Sequence, residues 1–216
     1  MKRIPISIRQ AFNFAWPIFN KRFSLFTAVL LTVFGAWVAL EIIVITGQRF
    51  GILLWAGAHL AFLIFVAGIE VGFLQICFAL HDGGEPTFAD IFRHLALAPK
   101  FLAGQVLYLL MVVLGLLLLV VPGVYLSVRY ALFGFCMVAG KSNLMRSFQQ
   151  SAILSTGAKI DLLWILVVLF LLNAFGASLL GLGLFITVPL SVLMMTAVYR
   201  QLSTRSQVDY ITLPLG

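Results

Sequence analysis

Five residues carry chemistry at odds with the apolar runs around them: Glu70, Arg129, His59, Cys77 and Cys136. Arg129 sits within "PGVYLSVRYALFGF" and Glu70 within "VAGIEVGFLQIC". A charge in an apolar medium is costly unless it is paired or reaches water. Cys77 follows Glu70 by seven residues and Cys136 follows Arg129 by seven, which on a helix is two turns and one shared face. His59 precedes Glu70 by eleven, about three turns, so His59, Glu70 and Cys77 read as one stripe. Such a set could do two things. Glu70 and Arg129 could form an ion pair that fixes the order of two helices, or Glu70 and His59 could titrate along a conduction or proton path. The structural pair is the simpler reading, because a path needs more polar groups than these.

Other candidate chemistries are thinner. His81, Asp82, Glu85, Asp90 and His94 cluster in "HDGGEPTFADIFRHL", but their spacing fits no zinc or calcium template. That segment reads as a solvated turn capped by Thr87 and Asp90. Ser151, Ser155 and Thr156 have no neighbouring histidine or acid to form a nucleophile–base pair. The two cysteines lack metal-ligand spacing and read as buried free thiols. No catalytic residue, metal ligand or cofactor is therefore expected, and the chain reads as a non-enzyme.

The elements that must position these residues follow from composition. The 216 residues are 62% hydrophobic and only 10% charged, where a soluble domain needs roughly 25% charged residues to hydrate its surface. Most of this chain must face lipid. Six apolar segments fit, at about 23–45, 51–80, 102–121, 124–140, 161–180 and 184–202, with Pro122–Gly123 expected to break the third from the fourth. The N-terminal 22 residues lack the short apolar core and cleavage site of a secretory signal. With the N-terminus inside, Lys2, Arg3, Arg9, Lys21, Arg22, Arg93, Lys100, Lys141, Arg146, Lys159, Arg200 and Arg205 fall on the cytoplasmic side and only Arg49 falls outside. Both termini are thus expected in the cytoplasm. The net charge of +7 belongs with that asymmetry and with anionic headgroups rather than with nucleic acid.

Three cytoplasmic stretches precede the three hairpins: "ISIRQAFNFAWPIFNKRF", "PTFADIFRHLALAPKF" and "LMRSFQQSAILSTGAKI". Their periodicity predicts amphipathic interfacial helices, the first with Ile8, Phe12, Ala15 and Phe19 on its apolar face. The expected fold is all-α: a single integral membrane domain over 1–216, six transmembrane helices and a possible three-fold repeat of helix plus hairpin. Segments two and four run the same way and put Glu70 and Arg129 at similar depth. Gly68 and Gly72 would let a partner backbone approach, and Ala177 and Gly181 predict a second close contact. Trp16, Trp55 and Trp164 read as belt residues, whereas Trp37 lies deeper.

Pro122, Gly123, Tyr125 and Arg129, then Arg146–Ser147 with Thr156–Gly157, then Pro189 and Tyr199–Arg200, resemble the membrane domain of glycerophosphoryl diester phosphodiesterases. They are also similar to small bacterial inner-membrane proteins related to that domain. The resemblance is close over about half the chain and looser at "AFNFAWPIFNKRF"; Ala152 departs from the aromatic often found there. It implies a six-span bundle and carries no catalytic residue, since catalysis in those enzymes belongs to a separate soluble domain. The expected function is an accessory or scaffold subunit of a bacterial inner-membrane complex, or a lipid-binding envelope factor, with membrane lipids and other subunits as partners. The alternative is a small transporter or channel using Glu70 and Arg129.

Overall fold

The computed structural model describes residues 7–47, 51–140, 143–179 and 181–212. Lys2, Arg3, Arg49 and Lys141, which enter the orientation count, lie outside them. Among the described residues every regular element is helical: α1 (Ile8–Lys21), α2 (Phe23–Gly47), α3 (Ile52–His81), two 3-10 helices (Phe88–Phe92 and Leu95–Leu97), α4 (Ala98–Leu118), α5 (Val120–Tyr130), α6 (Phe133–Gly140), α7 (Leu144–Leu154), α8 (Lys159–Ser178) and α9 (Leu184–Thr212). Six stretches among the described residues are long and apolar enough to cross a membrane, and the chain is an all-α polytopic membrane protein. Helices suit this composition because lipid offers backbone N–H and C=O groups no partner, so each segment must pair its own.

The chain divides into two compact units, residues 22–103 and residues 1–21 with 104–216, so one boundary falls inside α4. In the 22–103 unit α2 packs on α3, with Phe26 edge-on to Phe73 at 5.7 Å. The middle amphipathic stretch is not the α-helix expected. It folds as the two 3-10 helices, and the first starts where the Thr87 backbone N–H and hydroxyl both donate to the Asp90 carboxylate at 2.8 and 3.0 Å. This segment crosses α3 at Gly68 and Gly72. A Cβ on Gly72 would overlap the Ile91 carbonyl, and one on Gly68 would overlap the Leu95 side chain. The small pair that the sequence offered to another span therefore admits the 3-10 segment, its backbone at Gly72 and the Leu95 side chain at Gly68.

In the other unit α9 is the most enclosed span, packed by α1 and α8. Helix α1 buries Ala15 and Phe19 against it, as the periodicity predicted, with Ala11 in place of Phe12, which is exposed. Helix α7 packs on α6, where Phe148 stacks on Phe133 at 4.9 Å. Each of the three amphipathic stretches thus docks on the second helix of a hairpin: the 3-10 pair on α3, α7 on α6, α1 on α9.

The break between the third and fourth spans comes earlier than proline predicted. Leu119 is extended (φ −164°, ψ 146°), and Pro122 and Gly123 lie in the first turn of α5. Proline is tolerated there because the first N–H groups of a helix have no intrahelical acceptor to lose. Gly123 instead permits close packing, since a Cβ on Gly115 would stand 2.9 Å from its Cα. At the α8–α9 turn the close approach is made by Gly176 and Gly183, while Ala177 is exposed and Gly181 takes a positive φ of 77°.

Candidate functional site

The chemistry of Arg129 is built where α5, α7 and α8 meet. The fourth span is two helices, α5 and α6, interrupted at Ala131–Leu132. Serines of α7 serve the interruption: the Leu132 N–H donates to Ser151 Oγ (3.2 Å), and the Ser151 and Ser155 hydroxyls donate to the Arg129 carbonyl (3.1 and 3.2 Å). Backbone groups freed by a helix break need such partners in a dry interior. Ser147 and Ser151 of α7 and Ser155, which caps its C-terminus, recur every fourth residue and are all fully buried, because small side chains let α7 lie close.

That break overturns one inference from spacing. Arg129 and Cys136 are not two turns apart on one helix, because the helix stops between them; Cys136 is buried and Arg129 is half-exposed. Glu70 belongs to the 22–103 unit and Arg129 to the other, and each is described within its own unit. Glu70 and His59 are half-buried on α3 and Cys77 is buried there. His59 Nδ1 lies 2.8 Å from the Trp55 carbonyl; a carbonyl only accepts, so Nδ1 is the donor of that contact.

The side chain of Arg129 has unexpected company. Its Nη1 donates to the Tyr125 hydroxyl oxygen (2.9 Å), one turn earlier on α5. Lys159, the first residue of α8, donates its Nζ to the same oxygen (3.2 Å) and stands 4.5 Å from the Tyr125 ring centroid. The guanidinium carbon lies 5.8 Å from the Tyr125 ring centroid and 5.7 Å from that of Tyr130, within cation–π range. Two cations thus converge on one phenol, and no carboxylate pairs with either among the described residues.

Arg146 is exposed on α7, and Ser147 donates to the Asn143 carbonyl at 3.2 Å. Thr156 donates to the Ala152 carbonyl at 2.8 Å, and Gly157 turns the chain into α8 with φ 83°. Sequence reasoning singled out Tyr125 and Arg129 but missed Lys159 as their companion. The i, i+4 spacing of the first two is readable on a helix; the 34-residue separation of the third is not. No family model matches this chain, and no curated protein or solved structure does either.

Proposed function

We propose that this is a non-enzymatic, lipid-binding accessory protein of a bacterial inner membrane, with both termini in the cytoplasm. The observation that carries the reading is the recurring contact of an amphipathic stretch with the second helix of a hairpin. A stretch held in that way keeps its outer face for the headgroup layer. On α1 that face presents Phe12 and Trp16, stacked at 5.7 Å, beside Arg9 and Lys21. Aromatic rings with cations suit the boundary between acyl chains and anionic headgroups. Kinship with the membrane domain of glycerophosphoryl diester phosphodiesterases, resting on Pro122, Gly123, Tyr125, Arg129 and the Arg146–Ser147 and Thr156–Gly157 pairs, belongs to the same proposal.

The test is lipid retention. The protein is reconstituted with equal phosphatidylglycerol and phosphatidylcholine, extracted in mild detergent, and its bound lipid identified by mass spectrometry. Enrichment of the acidic lipid by at least about threefold is expected, given ~1 kcal/mol per basic residue near the surface. Retention in the bulk ratio would refute the reading.

A further inference from the structure

We infer that Tyr125, Arg129 and Lys159 form a binding site for a phosphate oxyanion, either that of a lipid headgroup or a free phosphate. This rests on the lipid-binding reading and gives it a named site. The argument is an inventory of hydrogens. Arginine and lysine side chains have donors and no acceptors, so the Tyr125 oxygen accepts from both and its own hydrogen remains to be given away. Among the described residues no acceptor meets that hydrogen, and Arg129 Nε is a buried donor with no partner. Lys159 keeps further hydrogens unspent.

Donors therefore exceed acceptors at one point, and the excess carries two positive charges. A neutral ligand would leave those like charges uncompensated, and a single water could accept from only two of the donors. An oxyanion with several acceptor oxygens answers both demands, and arginine with lysine is a common pairing for phosphate. Access fits as well: Tyr125 is exposed, and Lys159 opens an apolar span directly after the exposed Thr156 and Gly157. The α7 serines hold the Arg129 backbone by two hydrogen bonds, so the donor set is pre-positioned by packing.

The test uses the full chain in mild detergent with two probes, inorganic phosphate and phosphatidylglycerol, read by native mass spectrometry and by acylation of lysine amines. In the wild type, phosphatidylglycerol or phosphate should bind and slow the acylation of Lys159. R129Q and K159Q should each weaken that binding at least ~tenfold, the scale of a lost charge-assisted contact. Y125F should weaken it less, and R146Q, an exposed arginine outside the cluster, should leave it unchanged. Protection by the lipid alone assigns a headgroup site; protection by inorganic phosphate at similar concentration assigns a free-phosphate site. Wild-type binding unchanged in R129Q and K159Q, or weakened equally in R146Q, overturns the inference while acidic-lipid retention leaves the broader reading standing. Phosphate binding at the site with no lipid preference would do the converse. Should the variants fail to fold, absence of Lys159 protection in the wild type by either probe overturns it.

Discussion

Replacing Gly72 with alanine asks whether the 3-10 crossing over α3 organises the 22–103 unit. The new Cβ would overlap the Ile91 carbonyl oxygen and stand 2.6 Å from both the carbonyl carbon and Cα of Ile91. Those are backbone atoms, and no rotamer change moves them aside. Restoring ordinary contact requires the segment to lift from α3 by more than about 1 Å, which forfeits roughly half or more of the dispersion energy along the contact. Overpacking of this kind costs about 2–3 kcal/mol. Gly35→Ala is the control, because nothing lies within 4 Å of its Cβ. Unfolding in sodium dodecyl sulfate, followed by tryptophan fluorescence, measures the difference. Gly68→Ala adds a second arm: its main clash is with the tip of Leu95, so Leu95→Ala should recover most of the loss. Ile91→Ala should recover nothing in Gly72→Ala, since the clash there is with backbone. A Gly72→Ala protein as stable as Gly35→Ala would refute the packing argument.

Three further outcomes follow from the other unit. Gly183→Ala should destabilise by about 2 kcal/mol in the same titration, because its Cβ would stand 2.6 Å from the Gly176 Cα. Ser151→Ala should cost about 1–3 kcal/mol and speed hydrogen exchange at the Leu132 amide, which loses its acceptor at a buried helix break. Asn173→Ala should cost only about 0.6 kcal/mol, although its amide donates to Ser191 at 2.8 Å, because polar side chains find other partners in the membrane-unfolded state.

The two 3-10 helices show where local reading stopped. Periodicity in "PTFADIFRHLALAPKF" is genuine, and Ile91 is fully buried as an apolar position should be. What it could not supply was the surface opposite. Gly72 admits the Ile91 backbone at close range and Gly68 the Leu95 side chain, and the tighter 3-10 winding is the form that docks there. Pro122 illustrates the reverse error. Proline signals a helix boundary, and the boundary is there, but a proline is equally at home in the first turn after it. The Thr87–Asp90 cap, by contrast, is a local device four residues long and was readable outright.

The candidate site divides along the same line. That Arg129 needed company in an apolar run was dictated by solvation alone. That this company includes Tyr125 could be anticipated from one helical turn. That Lys159 arrives from 34 residues away required the packing of α5, α7 and α8, and the serines of α7 that fit it. Composition determined a membrane-spanning, all-helical chain by itself, because lipid accepts only backbone that satisfies its own hydrogen bonds. Which helices touch, and which cations meet on one phenol, was decided in the tertiary structure, because those contacts depend on shape between segments distant in sequence.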